Sequence, residues 1–457
     1  MKILHISHGF PPLEFTGVDT YTFNLARSQV DAGHQVFVFC RSGIKNNPEY
    51  SIKEEVVDRI RVTRINNNFI YAAYDPFVFE CKPIDEAFSR YINEISPDIV
   101  HIQHLLGLSV KLPKILKNSR IPYLITLHDF WYLCTQIFLL KSSGELCPGP
   151  KREGARLVPC IHEEDEEILP RKGLLFLKSI FKLWPKLPIE IKNILWYKNS
   201  ILRSILLQKT TYGTKNGESI RSLRLKTMLT ILHNAKLLIA PSNFVKRTYA
   251  NCSVNREKIK ILGHPIDKVA LKEFQREKSS EVAKFGFIGT FLRQKGADLL
   301  VDAFAHVKNK KCKLYIYGRE GYDENLNAYI KKKSKVDPRI KVKGSFNHEK
   351  IKEVLQSLDV IIIPSTAQES SSYVLHEALY VGIPVIASNI ETFKKLVKDG
   401  KNGFLFERNN PSDLAEKIEL ALKKKIYQKN IPRTLKENDI KDYNRIILRI
   451  YKNIANS

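Results

Sequence analysis

Short apolar segments alternate with segments of helical spacing along most of the chain, and this alternation restricts the fold more than any other feature. In the first run, the apolar segments are residues 2–7, 35–40, 98–103 and 122–129. The first interval is helical, because Tyr21, Leu25 and Val30 fall roughly on one side before Gly33 ends it. Alternation of this kind predicts a parallel sheet with helices on both faces.

The alternation restarts in the second half of the chain. The apolar segments there are residues 235–242, 284–290, 313–318, 340–344, 359–365 and 384–388. Two successive runs predict an α/β protein with two Rossmann-like domains, over residues 1–264 and 265–435, facing a central cleft. A ligand is expected in such a cleft, at the carboxyl ends of the strands.

The charge of the chain restricts its partners. The 457 residues include 74 Lys and Arg against 48 Asp and Glu, a formal net charge of +26. A hydrophobic content of 43% suffices for a large core, which excludes global disorder, a collagen-like fibre and a disulfide mini-protein. The positive excess indicates an anionic partner: nucleic acid, an anionic membrane face or a phosphorylated substrate. Charge alone does not choose among them.

The cysteines and the N-terminal residues indicate a reducing compartment. The seven cysteines are an odd number without a CxxC pair, which is untypical of a secreted disulfide framework. The first apolar run is too short for a signal sequence, and no apolar stretch approaches the ~20 residues that span a bilayer. Cys134, Cys147 and Cys160 precede His162; a zinc site is one interpretation, but unrelated thiols suit the wide spacing better. We expect a cytoplasmic protein.

A strongly basic segment lies between the two runs. After the acidic residues 163–167, residues 171–236 contain 14 Lys and Arg against two acids, a net charge of +12. One interpretation is a helical insertion, at about 165–235, whose lysines are solvated. The other is an amphipathic surface for anionic lipid headgroups. Because the basic residues lie among leucines and aromatic residues such as Trp184 and Trp196, we predict contact with an anionic membrane here.

The segment 364–388, PSTAQESSSYVLHEALYVGIPVIAS, is the most informative one. A strand is followed by a polar loop, and a helix starts near Ser371 or Ser372. The positive end of this helix and its N–H groups face the loop, which suits a phosphate. Glu369 lies in the loop, and Glu377 lies about two turns inside the helix. Since the neighbours of Glu377 are apolar, we expect it at the edge of a buried site rather than on the helix surface.

Glu369 and Glu377, separated by seven residues and followed by EALYVGIPVIAS, resemble the signature of glycosyltransferase family 4. The resemblance extends to residues 10–36, 124–134, 287–304 and 399–406, and it covers most of the chain outside the basic segment. It implies the GT-B fold, with an acceptor-side first domain and a nucleotide-sugar-binding second domain. It also implies that a helix within residues 436–457 crosses back to the first domain, the alternative being a surface helix of the second.

The resemblance implies roles for residues of the second domain. Glu377 would accept hydrogen bonds from the two ribose hydroxyls of a nucleotide, which suits the paired oxygens of a carboxylate. Glu369 would bind hydroxyls of the donor sugar near the reacting carbon. The backbone N–H groups of Ser371, Ser372 and Tyr373 would approach the diphosphate or the sugar.

Further implied roles concern the diphosphate charge and the acceptor. Lys295 would neutralise the charge that grows on the leaving diphosphate, and Arg293 would add a second positive charge. Gly17 would let the backbone approach the phosphates, because a side chain there would block the approach. His128, at the end of its strand, would lie near the acceptor and the β-phosphate. The implied catalytic residues are therefore His128, Glu369 and Lys295.

Three departures from the family pattern affect the donor phosphates. Thr16 precedes Gly17 where many members carry a glycine pair, and Thr290 stands where many carry an arginine. For this reason the second positive charge is assigned to Arg293. Residues 389–393, NIETF, replace the usual two glycines. Because the two glutamates, the lysine and the histidine are all present, we predict an active enzyme.

The predicted function is a retaining hexosyl transfer from a nucleotide-diphosphate sugar to a hydroxyl of a glycan or lipid-linked acceptor, in cell-surface polysaccharide or glycolipid synthesis. The sequence contains no Asp-x-Asp pair, so neither a divalent metal nor another cofactor is expected. The predicted location is cytoplasmic, peripheral on the inner face of the cell membrane.

Two other functions stay open. A nucleotide-sugar epimerase or hydrolase would use the same fold and the same donor. A basic nucleic-acid-binding protein is supported only by the net charge of +26, because no recognisable nucleic-acid-binding module is present. We therefore predict no nucleic-acid partner.

Overall fold

The chain forms two compact units. The computed structural model describes residues 1–68, 80–134, 137–141, 143–153, 156–158, 220–276, 281–321, 323–428, 431 and 439–456. Unit 1 comprises Met1–Ala240, Val245–Ile261 and Ile447–Ser457, and unit 2 comprises Pro241–Phe244 and Leu262–Ile446. Relative to the domains predicted over 1–264 and 265–435, residues 241–244 and 262–264 belong to unit 2, and only residues 447–457 of the last segment, 436–457, belong to unit 1.

A mostly parallel sheet forms the centre of unit 1. The strands described in this half are β1 (Lys2–Ser7), β2 (Gln35–Ser42), β3 (Ile52–Val57), β4 (Ile60–Asn66), β5 (Ile99–Ile102), β6 (Tyr123–Thr126), β7 (Lys151–Glu153), β8 (Arg156–Val158), β9 (Leu237–Ala240) and β10 (Ile259–Ile261). The sheet runs in the order β10-β9-β6-β5-β1-β2-β4-β3, while β7 and β8 form a separate antiparallel pair. Only β3 is antiparallel to its neighbour among the described strands of this sheet.

The edge of this sheet differs from its interior. The central strands β1, β5 and β6 are almost entirely buried, as expected for parallel strands covered on both faces. The edge strand β3 reads IKEEVV and is largely exposed. The sequence analysis did not predict β3 and β4, because charged residues interrupt their apolar pattern. Antiparallel pairing to a single neighbour stabilises such a strand without burying both faces.

Helices described in the first half are α1 (Gly17–Asp31), α2 (Lys82–Ile95), α3 (Leu112–Asn118), α4 (Ile220–Asn234) and α5 (Asn243–Asn251). A capping box begins α1: Thr16 Oγ1 accepts a hydrogen bond from the Asp19 N–H at 3.4 Å, and Asp19 Oδ2 accepts one from the Thr16 N–H at 2.8 Å. The loop before α1 is held by buried Arg64, whose guanidinium donates to the backbone carbonyls of Phe10 and Pro11 at 2.8 and 2.6 Å.

A parallel sheet also forms the centre of unit 2. Its described strands are β11 (Ala283–Ile288), β12 (Cys312–Tyr317), β13 (Ile340–Gly344), β14 (Val360–Ile363), β15 (Val385–Ser388) and β16 (Gly403–Phe406), in the order β13-β12-β11-β14-β15-β16. Every neighbouring pair among them is parallel. The helices are α6 (Ala297–His306), α7 (Glu324–Val336), α8 (Ile351–Gln356), α9 (Tyr373–Val381), α10 (Glu391–Lys394), α11 (Pro411–Lys423) and α12 (Ile440–Ala455).

The two faces of the unit 2 sheet bury two separate cores. Along β14, Val360 and Ile362 belong to one core, while Ile361 and Ile363 belong to the other. Successive side chains of a strand point to opposite faces, so a strand buried on both sides must be apolar at every position. Each such side chain contributes about 1.5–3 kcal/mol when fully buried. This explains why uninterrupted apolar runs located these strands in the sequence.

The last helix, α12, carries a continuous apolar stripe. Tyr443, Ile447 and Tyr451 are each fully buried. The residues up to Ile446 belong to unit 2, and those from Ile447 onward belong to unit 1. The spacing of these side chains is that of one helix face.

Most of the basic segment lies outside the described residues. Residues 159–219 are among those left out, and with them Cys160, His162 and both Trp184 and Trp196. The structure describes its last part, the helix α4. There Arg224 is buried, donates to the backbone carbonyl of Trp131 and lies 5.5 Å from the centre of its ring. Arg224 therefore belongs to the packing of unit 1 and is no candidate for contact with lipid.

Cys134 and Cys147 are buried thiols. Within the part of the chain that the structure describes, no group of three or more His, Cys, Asp or Glu residues is placed to hold a metal ion. Across the same residues, none of the helices combines the length and the apolar character needed to cross a membrane.

Candidate active site

The loop after β14 and the helix α9 form the framework of a polar cluster in unit 2. Ser372 is the N-cap of α9, and its hydroxyl accepts a hydrogen bond from the Leu375 N–H at 3.4 Å. The helix begins at Tyr373 and ends at Val381, and Gly382 caps it with a φ of +82°, which glycine readily adopts. The N-terminus of α9 carries a partial positive charge, so this end of the helix favours an anion.

Glu377 is buried on α9, with 3% of its surface exposed. Its neighbours Ala378 and Leu379 are fully buried. An ionised carboxylate in such surroundings needs hydrogen-bond donors, because burial away from water is costly for a charge. Glu377 is thus not a surface helix residue, which is what its apolar neighbours in the sequence indicated.

Glu369 and Lys295 form an ion pair in unit 2. The ammonium of Lys295 lies 2.8 Å from Oε1 and 2.9 Å from Oε2 of Glu369. The hydroxyl of Ser365 also donates to Glu369 Oε1. The Glu369 side chain is 9% exposed, whereas that of Lys295 is 35% exposed. The lysine is therefore the more accessible member of the pair, and the carboxylate is the more deeply buried one.

Backbone contacts hold this ion pair in place. Lys295 ends a short 3₁₀ turn, Arg293–Lys295, that Gly296 follows with a φ of +70°. A Cβ at Gly296 would lie 2.0 Å from the carbonyl oxygen of Pro364, so only glycine permits this approach. Thr392 Oγ1 donates to the Glu369 carbonyl at 2.6 Å. The sequence analysis did not single out Gly296, because the close approach is between segments far apart in the chain.

Arg293 has a different environment from Lys295. Its guanidinium is 63% exposed, lying 3.0 Å from Asp323 Oδ2 and 3.5 Å from Asp298 Oδ2. The sequence analysis assigned Arg293 to the donor phosphates. In this structure its guanidinium contacts two carboxylates and remains largely exposed, and its role toward the donor phosphates stays a prediction.

The remaining predicted residues of unit 2 lie around the start of α9. Ser371 Oγ is 3.3 Å from His376 Nε2. The ring of Tyr373 stacks on that of His264 with centres 5.3 Å apart. Burial, aided by the neighbouring His376, lowers the pKa of His264 to about 3, so this imidazole is neutral. The sequence analysis did not identify His264, which is a lone histidine in a loop.

Two of the predicted residues lie in unit 1. Gly17 is the first residue of α1 and is exposed, next to the capping residue Thr16. His128 follows β6 and is buried; its Nε2 lies 2.9 Å from Gln103 Oε1, and its ring meets that of Tyr21 at 4.7 Å. The structure thus places Gly17 and His128 in unit 1 and the other predicted site residues in unit 2.

A second group of polar side chains lies near the start of α1. His8 Nε2 is 3.8 Å from Asp19 Oδ1, and His104 Nε2 is 3.1 Å from Asp129 Oδ2. Burial lowers the pKa of His8 to about 4, although Asp19 acts in the opposite direction. Burial acts to raise the pKa of Asp129, but His104 and the Trp131 N–H outweigh it and lower the pKa. The sequence analysis missed this group; polar residues directly after apolar strands were the available signal.

Two models of known families match the chain. "Glycosyl transferases group 1" matches residues 270–442, and "Glycosyltransferase Family 4" matches residues 15–157. The first range contains the ion pair and Glu377, and the second contains Gly17 and His128. Over these two ranges the chain is similar to glycosyltransferases.

Curated relatives are similar to this chain over part of their length. An uncharacterized glycosyltransferase of Methanocaldococcus jannaschii is 30% identical over 152 residues, 33% of this chain and 40% of the relative. The phosphatidyl-myo-inositol mannosyltransferase of Mycobacterium leprae is 26% identical over 170 residues, 36% of this chain and 44% of the relative. The chain therefore spans less than half the length of these relatives.

Solved structures match over the full length. Sucrose-phosphate synthase of Thermosynechococcus elongatus has a TM-score of 0.65 and 17% identity, and the match covers 100% of both chains. Anabaena HepE in complex with UDP-glucose has a TM-score of 0.62 and 14% identity, over 99% of this chain and 100% of that one. At such identities the likeness establishes the fold. The chain has the GT-B fold, as its sequence predicted.

Proposed function

We propose that this protein transfers a hexosyl group, with retention of configuration, from a nucleotide-diphosphate sugar to a hydroxyl of a glycan or lipid-linked acceptor. The observation that carries the proposal is the cluster at α9: Glu377 is buried inside the helix, and Lys295 is paired with Glu369 before it. The UDP-glucose bound by HepE and the mannosyl transfer named for the Mycobacterium relative support this substrate class.

The cluster suits the parts of a nucleotide sugar. Glu377 offers two carboxylate oxygens to a pair of vicinal ribose hydroxyls. The N–H groups at the start of α9, around Ser371, Ser372 and Tyr373, suit the diphosphate or the sugar. Because Lys295 is the exposed member of its ion pair, an incoming diphosphate competes with Glu369 for its ammonium. Glu369 is then available to the hydroxyls of the sugar.

The chemical step requires stabilisation of a departing diphosphate. In a transfer with retention, the bond from the anomeric carbon to the phosphate oxygen breaks, and a bond to the acceptor oxygen forms on the same face. The proton of the acceptor hydroxyl passes to the leaving phosphate. This route does not use a covalent bond between the sugar and the enzyme. Lys295 stabilises the charge that develops on the diphosphate. His128 is assigned to the acceptor and β-phosphate side of the reaction.

The activity is tested with the purified protein and a panel of labelled UDP-, GDP- and ADP-sugars, each with and without polyprenyl-linked or oligosaccharide acceptors. We expect transfer that depends on the acceptor, and an α-linked product from an α-linked donor by NMR. Release of free sugar, or its epimerisation, without transfer would instead support a hydrolase or epimerase. An inverted product would contradict retention.

Divalent metal should not be needed for this activity. The chain has no Asp-x-Asp pair to hold a metal–diphosphate complex, and Lys295 and the start of α9 supply positive charge instead. We therefore expect the transfer rate to stay within about twofold after treatment with EDTA. Complete loss of activity that Mg²⁺ or Mn²⁺ restores would overturn this account.

We also propose that the protein works at the inner face of the cell membrane. The support is the net charge of +12 over residues 171–236, together with the large apolar residues among them. Sedimentation with phosphatidylglycerol vesicles should be strong and should weaken with added salt, while neutral phosphatidylcholine vesicles serve as the control. Retention on DNA or RNA at physiological salt without vesicle binding would contradict this proposal.

A further inference from the structure

A continuous set of buried hydrogen bonds leads away from His128 in unit 1. His128 Nε2 lies 2.9 Å from Gln103 Oε1, and Gln103 Nε2 lies 3.1 Å from His5 Nδ1. Gln103 and His5 are both fully buried. Gln103 directly follows β5, and His5 lies within the adjacent strand β1, so the parallel sheet itself sets their spacing.

The set continues to the last helix of the chain. His5 Nε2 lies 2.8 Å from Gln29 Oε1 on α1, and Gln29 Nε2 donates to the hydroxyl of Tyr451 on α12 at 3.4 Å. The Tyr451 hydroxyl lies 2.6 Å from His101 Nδ1, and His101 Nε2 lies 2.7 Å from Thr126 Oγ1. We call the seven residues from His128 to Thr126 the relay: His128, Gln103, His5, Gln29, Tyr451, His101 and Thr126.

From His128 to Tyr451, the hydrogen bonds of the relay all run in one direction, from donor to acceptor. The carbonyl oxygen of Gln103 only accepts, so His128 must donate from Nε2. The amide nitrogen of Gln103 only donates, so His5 accepts at Nδ1 and donates from Nε2 to Gln29. Gln29 then donates to the Tyr451 hydroxyl, whose own O–H group can donate to His101 Nδ1. In this order, His128 carries its proton on Nε2, and Nδ1 is its accepting nitrogen.

Burial stabilises this arrangement of hydrogen-bond donors and acceptors. All seven residues are at most 6% exposed, so water does not replace a lost partner at low cost. Burial lowers the pKa of His5 to about 4 and lowers that of His101 as well, and both rings are neutral near pH 7. A neutral imidazole has one donor and one acceptor, as each position in the relay requires.

We propose that Tyr451 is a positioning residue for His128: through the relay, its hydroxyl fixes which nitrogen of His128 carries the proton and how the ring is rotated. The Tyr451 hydroxyl joins Gln29 on one side of the relay to His101 on the other. This proposal rests on the proposed function in one respect, the place of His128 beside the reacting groups.

The test compares Tyr451→Phe with Tyr123→Phe. Both changes remove one buried phenol hydroxyl in unit 1, but the Tyr123 hydroxyl donates to the backbone carbonyl of Ile231 at 3.0 Å and is not part of the relay. Protein labelled with ¹⁵N-histidine reports the tautomer of each ring by NMR, and a His128→Gln variant assigns the signal. Thermal unfolding of each variant measures its stability.

We expect His128 of the wild type to be protonated at Nε2 and to become a mixture of tautomers in Tyr451→Phe. Loss of one ordering hydrogen bond should lower kcat for transfer about tenfold, with the donor KM unchanged. Tyr123→Phe should keep both the tautomer and kcat. Gln29→Met breaks the relay at another link, and it should give the same loss, which should not add to that of Tyr451→Phe.

An unchanged His128 tautomer in Tyr451→Phe would overturn the proposal, as would an equal fall of kcat in Tyr123→Phe. A changed tautomer with unchanged kcat would refute the effect on catalysis. If no donor supports transfer, the proposed function fails. The NMR result then still decides whether Tyr451 sets the tautomer of His128.

Discussion

At the scale of single residues, the ion pair between Lys295 and Glu369 connects the two predicted catalytic groups of unit 2. Each oxygen of Glu369 lies within 2.9 Å of the Lys295 ammonium. The sequence spacing named both residues but did not show that they touch, since 74 residues separate them. The contact means that removal of either residue leaves a charged partner without its counter-ion.

Replacing Lys295 by methionine tests its role in the departure of the diphosphate. We expect Lys295→Met to lower kcat about 10²–10³-fold, because the positive charge that stabilises the leaving group is lost. Steady-state kinetics with the preferred donor measure the effect. Lys308→Met, an exposed lysine of unit 2, is the matched control and should leave kcat unchanged. A Lys295→Met enzyme with a wild-type kcat would remove Lys295 from the catalytic set.

At the scale of elements, the start of α1 explains a departure from the family pattern. Thr16 stands where many family members have glycine, and it closes a capping box with Asp19. A threonine supplies a side-chain oxygen for the first turn, which glycine lacks. Gly17 needs no positive φ here, so the departure changes the helix cap rather than the backbone conformation.

The capping role predicts a loss of stability in Thr16→Ala. The free energy of unfolding of unit 1 should fall by about 0.5–2 kcal/mol, because a backbone N–H of the first turn loses its acceptor. Urea unfolding followed by tryptophan fluorescence measures this, since Trp131 is a buried residue of unit 1.

Two control variants separate the cap from other effects of the change. Thr16→Ser keeps the oxygen and should match the wild type. Thr16→Gly restores the family's glycine pair and should lose only about 0.3 kcal/mol. Equal losses for serine and alanine would show that the methyl group, not the cap, is responsible.

At the scale of the whole molecule, unit 1 contains buried histidines, and burial favours the neutral form of their rings. Burial lowers the pKa of His5 to about 4, against 6.5 when exposed, and lowers that of His101 in the same direction. As the pH falls below 6.5, His5 becomes protonated in the unfolded chain, whereas in the folded chain it stays neutral until about pH 4. Folding is therefore favoured above pH 6.5 and progressively weakened toward pH 4.

The free energy of unfolding of unit 1, measured with urea, should accordingly fall between pH 6.5 and 4, by about 1.4 kcal/mol per pH unit for each such histidine. His5→Gln should show a shallower slope, while the exposed His233→Gln should keep the wild-type slope. Burial raises the pKa of Glu14, which acts in the opposite direction, so the difference between variants is the decisive quantity. Equal slopes for His5→Gln and wild type would contradict the prediction.

Much of the fold could be predicted from the sequence because burial on both faces requires uninterrupted apolar strands. Strands β11 to β15 each coincide with a predicted segment. The edge strand β3 was missed, because a half-exposed strand tolerates the charges in IKEEVV. Within the candidate site, the residue types and their spacing could be predicted from the sequence. The engagement of Arg293 with Asp298 and Asp323 was not, since it depends on which loops fold together.

The sequence by itself determined the two parallel sheets and the positions of Glu369 and Glu377, because both are local patterns along the chain. Only the tertiary structure decided that Lys295 meets Glu369 and that Tyr451 reaches His101. The latter two residues are 350 positions apart, and their hydrogen bond depends on the sheet order and on the last helix. Local periodicity records which side of a segment is buried, but it carries no information about the partner that buries it.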